Sequence, residues 1–401
     1  MSKKRSHMSK VRAVGSKGQR PEAEVLRHFR VFKTPPSDFN AMTASKRELL
    51  VYGLPPRPNE RTHPRLAAKW QRIAEHRLHF IQPKLRVRPS IRRTIDRDLI
   101  VRRDIAERVA RYYEKFKLKS AGEKIADIDI HRILGQLFLL KSAGEEIADI
   151  DIHRILARLI PETSPNWSGA YVNRPIAEPL MTVTGEWRVP GVNPPPSAWN
   201  GTGYDDGTYW CSVWVGIDGT QGTSDVMQAG TDSQCVVSGG KVTSRMFFAW
   251  TEWFSLDPVI VGIPIEVGDL ISCTVCAPLG TTHGTAMFNN LTSGATANFG
   301  IDPPEKISLV GNVAEWIVED PGKPAVPFPD YGSIFFSDCI AGSKNIQLDL
   351  GSAREIDLVD ASNNVISSAT IESSRTLFCR YSAYWATRVP PPPPWFSAGS
   401  P

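Results

Sequence analysis

The chain has 401 residues, of which 41% are hydrophobic and 22% charged, with a formal net charge of +5. That length accommodates one large domain and a smaller one, and the absence of any run approaching about eighteen consecutive apolar residues excludes a membrane-spanning helix. The net charge conceals a division: residues 1–160 carry 36 Lys/Arg against 18 Asp/Glu, or +18, and the rest 11 against 24, or −13, an asymmetry that marks two functional parts.

From the N terminus, residues 1–31 read as a flexible basic arm, rich in Lys, Arg, Ser and Gly. They hold no apolar core of signal-peptide length, so no secretory signal is visible. Residues 32–86 form a leader with the turn-forming YGLPPRPN at Tyr52–Asn59 and with Trp70 in a predicted helix; a strap packed on the following domain is one role it could fill.

Residues 87–163 turn helical and strongly charged, and contain a tandem repeat: KSAGEKIADIDIHRIL from Lys119 returns as KSAGEEIADIDIHRIL from Lys141, a period of 22 residues. Because that period makes about 6.1 turns, both copies would show one face of a continuous helix. Ser120 with Glu123 and Ser142 with Glu145 instead read as capping boxes, hence as two helix starts. His131 and His153 recur with the repeat but lack ligand-type neighbours at i+4, and read as surface histidines. The expected partner of the basic residues 1–160 is the chain's own acidic half, with nucleic acid as the alternative.

Over residues 164–384 the pattern changes to short β-rich runs, among them Val213–Ile217, Ile271–Val275, Trp316–Val318 and Ile334–Phe336, punctuated by Gly, Pro, Ser and Thr. That rhythm predicts an all-β fold, an antiparallel β-sandwich, preceded by the basic and mostly helical N-terminal region. Residues 385–401 form a Pro-rich, stiffly extended tail. All six cysteines, Cys211, Cys235, Cys273, Cys276, Cys339 and Cys379, lie in the acidic half, an even number that suits disulfides and buried thiols equally. Cys273 and Cys276 form a lone CxxC in an apparent strand, where odd spacing points them to opposite faces, and no second Cys or His pair follows at zinc-ligand spacing. Neither a metal nor another cofactor is expected.

The chemistry concentrates in a few blocks. In AEWIVED, Ala314–Asp320, a carboxylate is set into a strand-forming apolar run beside a tryptophan. Strand alternation gives Glu315 and Ile317 one face and Trp316 and Val318 the other, so Glu315 is a candidate proton-transfer group in an aromatic-lined groove. In VWVGIDG, Val213, Val215 and Ile217 read as core, and Trp214, Gly216 and Asp218 as an aromatic and acidic wall. In AWTEW, Trp250 and Glu252 share a face.

These three blocks, with VMQAG at Val226–Gly230 and PDYG at Pro329–Gly332, resemble those of the glutamic peptidases, the eqolisins, in that family's order, over about Ser164–Tyr381. The resemblance implies a concanavalin A-like jelly roll, hydrolysis of polypeptide substrates at acidic pH, and a catalytic pair at Glu315 and Gln228. It places Trp214, Asp218, Trp250 and Glu252 around the substrate. It also implies an extracellular location, at odds with the missing signal. The chain has no Asp-Thr-Gly or Asp-Ser-Gly, no HExxH and no GxSxG, which leaves activated water as the nucleophile. One position departs from the pattern: Phe248 stands where fungal members usually carry an aspartate. Two other functions fit a tryptophan-lined sandwich, a glycoside hydrolase using Glu252 and Glu315, which needs carboxyls about 5 Å apart, and a binding module without catalysis.

Overall fold

A computed structural model describes residues 21–76, 79–88, 161–175, 178–221, 223, 225–277, 283–304, 309–322 and 327–382. The tandem repeat, His131 and His153 and the Pro-rich tail lie outside the described residues. The N-terminal region supplies α1 (Glu22–Leu26) and β1 (Phe29–Val31) within the expected arm, and α2 (Lys46–Val51), α3 (Pro64–Glu75), β2 (His79–Phe80) and β3 (Leu85–Val87) from the leader and its end. The acidic half supplies β4 (Glu162–Ser164), β5 (Trp167–Asn173), β6 (Thr182–Arg188), β7 (Gly207–Asp218), β8 (Val226–Ser238), β9 (Lys241–Trp253), β10 (Val259–Val261) and β11 (Leu270–Cys276). It continues through β12 (Gly284–Asn290), β13 (Ala295–Ile301), β14 (Val313–Glu319), β15 (Ser333–Gly342), β16 (Gln347–Asp349), β17 (Arg354–Val359), β18 (Val365–Ile371) and β19 (Leu377–Tyr381). Among the described residues no helix is long and apolar enough to cross a membrane.

The strands form two antiparallel layers. One runs β10–β9–β8–β7–β14–β5–β17; the other runs β16–β15–β6–β11–β12–β13. Strand β15 belongs to both: Ser333–Phe336 pair with β19 in the first layer, and after a bulge at which Asp338 takes φ +48° the strand pairs with β6 in the second. A bulge re-aims a strand in this way because one side's extra residue bends it. Period-2 alternation then fills the space between the layers. Val213, Val215 and Ile217 of β7, Ala229 of β8, and Trp316 and Val318 of β14 meet Trp187, Phe288 and Phe299 there. The indole Nε1 of Trp316 donates to the Thr184 carbonyl at 2.8 Å, which ties the layers together.

The leader departs from expectation. The flexible arm expected over 1–31 gives way by residue 21: Val25 is fully buried, and β1 pairs with the free edge of β13. Strand β2 covers the rest of that edge, and β3 extends the first layer beyond β10. The described part of the N-terminal region is therefore strand as well as helix, and it shields edges that would otherwise offer unpaired backbone groups. Helix α3 starts on Pro64 and buries Leu66, Lys69 and Ile73, one stripe at helical spacing. Lys69 meets Glu186 of β6 at 3.2 Å with both side chains buried, and Arg72 bridges Glu186 and Asp338 at 2.7 and 2.6 Å. All six cysteines are free thiols, buried except for half-buried Cys276. Burial pushes their thiols above the ordinary range.

Candidate active site

The first layer's outer face carries the residues that the sequence singled out, and strand register brings them into rows. One row crosses five strands: Tyr171, Glu315, Gly216, Gln228 and Glu252 are successive partners on β5, β14, β7, β8 and β9. With strands about 4.8 Å apart, Glu315 and Gln228 stand about 10 Å apart at Cα, separated by a residue without a side chain. A Cβ at Gly216 would lie 2.9 Å from the Trp214 ring and 3.2 Å from the Gln228 Cβ. Glycine thus keeps open the space between the carboxyl and the amide.

Two residues along, the next row is Ile317, Trp214, Gly230 and Trp250. A Cβ at Gly230 would lie 2.2 Å from the Val213 carbonyl and 2.5 Å from the Trp214 Cβ, so only glycine admits this approach. The third row is Glu319, Ser212, Asp232 and Phe248. Trp167, Tyr171, Trp214, Trp250 and Ile317 pack together as an apolar cluster of their own on this face, separate from the interlayer core.

Glu315 is 0% exposed, and neither carboxyl oxygen has a hydrogen-bond partner. Burial first, then the carboxylates of Asp218 and Glu319, hold it well above the usual carboxylate range. Gln228 is also buried; its Nε2 donates to Glu252 Oε2 at 2.7 Å, and its Oε1 has no partner. With a Glu252 carboxyl oxygen as the acceptor, the end of the amide turned toward it is the NH2. One amide hydrogen goes to Glu252 and the other remains to be donated. The Thr251 hydroxyl donates to the Gln228 carbonyl at 2.9 Å and steadies the backbone.

The remaining candidates take different positions. Trp214 and Trp250 lie side by side across Gly230, and Trp214 Nε1 donates to Glu319 Oε2 at 2.8 Å. Asp218, with φ +66°, accepts from the backbone N–H groups of Val310, Gly311 and Asn312 at 2.6 to 2.8 Å. Its carboxylate anchors the loop that delivers β14, and burial raises it in spite of those bonds. Asp225, donated to by Trp253 Nε1, is pushed up to about 6 by burial.

Sequence reasoning missed Glu319, Tyr171 and Asp232 as parts of this face. Glu319 follows Glu315 by four residues, an even spacing that puts both on one side of a strand. Tyr171 and Asp232 become site residues only through register between strands distant in sequence, which also sets Gly216 between Glu315 and Gln228. Asp232 also bears on Phe248: it stands directly opposite that residue on β8, so the face has an acid in this row from the neighbouring strand.

The two-layer antiparallel scaffold thus sets a buried glutamate with unpartnered carboxyl oxygens across a glycine from a glutamine held by Glu252. Residues 165–381 match the model of the peptidase A4 family, and the chain belongs to that family. It is 34% identical over 197 residues to aspergillopepsin-2 of Aspergillus niger, covering 45% of this chain and 66% of that protein. It is 30% identical over 226 residues to scytalidopepsin B of Scytalidium lignicola, covering 54% and 77%. Among solved structures, scytalido-glutamic peptidase with a peptide-based transition-state analogue superposes with a TM-score of 0.44 at 25% identity, over 55% of this chain and 99% of that one. Aspergilloglutamic peptidase of Aspergillus niger does so with a TM-score of 0.38 at 29% identity, over 43% and 99%.

Proposed function

We propose that this chain is an acid endopeptidase in which Glu315 is the general base and Gln228 the oxyanion donor. The observation that carries this reading is the pair itself: a fully buried carboxyl with two unpartnered oxygens faces, across Gly216, an amide whose orientation Glu252 fixes. An unpaired buried carboxyl is costly and persists chiefly where it has work to do. In the reaction, Glu315 takes a proton from water as the water oxygen attacks the scissile carbonyl. The developing oxyanion accepts the free N–H of Gln228. The tetrahedral intermediate collapses, the C–N bond breaks, and Glu315 returns its proton to the leaving amine. Water and the substrate are the donors that bring the raised Glu315 back toward its working range. Trp214 and Trp250 line the groove beside the pair, and Glu252 and Asp218 hold Gln228 and the β14 loop in place.

The same reading gives the basic leader an internal partner. Lys69 and Arg72 on Glu186, Arg72 on Asp338, Arg65 on Asp349 and Arg88 on Asp232 are all cations of residues 1–160 paired with acids of the acidic half, which supports pairing within the chain over nucleic acid. A glycosidase using Glu252 and Glu315 is not favoured: the Glu252 carboxyl is committed to Gln228, whose Nε2 donates to its Oε2 at 2.7 Å, and that reading leaves the oriented amide without a role.

The test is substitution. Glu315→Gln is expected to abolish cleavage of a denatured protein while the far-UV spectrum stays native. Gln228→Ala is expected to lower kcat by about 10²–10³. Full turnover in Glu315→Gln, or cleavage of a β-glucan and of no peptide, would overturn the assignment.

A further inference from the structure

Beyond β17 the first layer continues through β18 and β19 to the first half of β15. Ile334, Phe336, Leu377 and Cys379 of this stretch are buried in the interlayer core, so alternation turns Phe335, Phe378 and Arg380 outward. Phe335 and Phe378 are partners across the two strands, with ring centres 4.5 Å apart and planes inclined by 31°. Phe335 is 55% exposed and is the only exposed Phe, Tyr or Trp among the described residues. The neighbouring row is Ser333, Arg380 and Ser368. Description of the chain ends just beyond it, at Ser382, whose hydroxyl donates to that of Ser368 at 3.5 Å and whose N–H donates to the Ile366 carbonyl at 2.7 Å. The chain therefore leaves the sheet beside this face, four residues or about 13 Å from Phe378.

We propose that the proline run at residues 390–394 folds back and docks on the Phe335–Phe378 pair, so that the chain's own C-terminal segment covers this face. That segment lies outside the described residues and beyond the family match, which ends at residue 381. A proline run is already extended before it binds, so it loses little entropy on an aromatic platform, the usual partner of such segments. It offers carbonyl acceptors and no N–H donor. The row beside the rings supplies donors, the guanidinium of Arg380 and the hydroxyls of Ser333 and Ser368. The dimensions agree as well. At about 3.1 Å per residue the five prolines span about 16 Å and turn every third ring to one side, enough to cover both rows, which are about 7 Å apart. Seven residues, 383–389, join Ser382 to the run, and at about 3.5 Å per residue they reach well past the 13 Å required. So short a tether holds the run at an effective concentration of millimolar order, and a contact too weak to retain a free peptide then keeps the face covered.

The test uses the full-length chain with Phe335 replaced by p-benzoylphenylalanine, which cross-links to neighbouring C–H groups on illumination. Cross-links are expected within one chain, to residues 389–401, and are expected to vanish when Pro391→Gly, Pro392→Gly and Pro393→Gly are introduced together. A second readout is tryptic release of residues 389–401 by cleavage after Arg388, the only Lys or Arg beyond residue 382. Phe335→Ser and the triple glycine variant are each expected to release it about tenfold or more faster than the unaltered protein, because cleavage follows the undocked population. The glycine changes leave the sheet untouched, so that variant carries the second readout should Phe335→Ser fail to fold. Cross-links to a second copy of the chain, to other segments or to nothing overturn the proposal, as does equal release from all three proteins. Neither readout depends on turnover at Glu315.

Discussion

Glu315 is a carboxyl that the fold buries and then leaves without a donor. Its folded-state pKa lies above its unfolded value, so its contribution to stability is fully present below about pH 4.5 and is lost as pH rises through the folded value. Glu315→Gln should therefore leave the urea midpoint near its parent's at pH 4 and raise it at pH 7.5; a lowered midpoint at pH 7.5 would contradict the burial argument. Gly230 tests packing at the same scale. Gly230→Ala drives a methyl into the Val213 carbonyl and the Trp214 Cβ, and overpacking of that kind costs about 1–3 kcal/mol or more, readable as an earlier denaturant midpoint at unchanged m-value. The division of faces at Glu315, Ile317 and Trp316 was legible because alternation along one strand needs no partner. The Gln228–Glu252 bond was not, because it depends on the register of β8 with β9. Nor was the anchoring of residues 310–312 by Asp218, which follows from a left-handed backbone at Asp218 that no local pattern announced.

Among elements, the leader holds the largest difference between sequence and structure. Trp70 does fall in a helix, α3, and the turn-forming Tyr52–Asn59 lies between α2 and α3. What the sequence left open was where these elements dock, since β1, β2, β3 and α3 all find partners more than a hundred residues away. The docking makes a clear demand on Glu186. Removing its charge leaves Lys69, 4% exposed, without its counter-ion, and breaking a buried pair from one side costs about 3–5 kcal/mol. Glu186→Gln is expected to lower the denaturant midpoint accordingly, and an unchanged midpoint would show that α3 is dispensable. A chain beginning near Glu162 is expected to aggregate or melt early, because the edges of β13 and β10 lose their cover; comparison of its melting temperature with that of the full-length chain decides this.

For the whole molecule, the carboxyl pattern sets the direction in which stability changes with pH. Burial raises Glu315 and Asp218, brings Asp225 to about 6 and Asp320 to about 7. Groups of this kind stabilise the fold below their unfolded values near pH 4 and lose that contribution as pH rises through about 6 and 7. The hydrogen-bonded Glu48, Glu178, Asp206 and Asp360 are lowered and act oppositely, giving up stability only as pH falls below about 4. The fold is thus expected to be most stable near pH 4 and less so at 7.5 by thermal melting; equal or greater stability at 7.5 would contradict the shifts. An enzyme working in acid needs both this and a base whose pKa lies near the operating pH. The most direct measurement is cleavage of a denatured protein from pH 2 to 7 by the full-length chain and by Glu315→Gln, each with a chelator and with pepstatin. The expected result is a maximum between pH 2 and 5, toward the upper end because burial raises Glu315, unaffected by either additive and absent from Glu315→Gln. A maximum above pH 7, loss of activity with chelator, or full activity of Glu315→Gln would contradict the account.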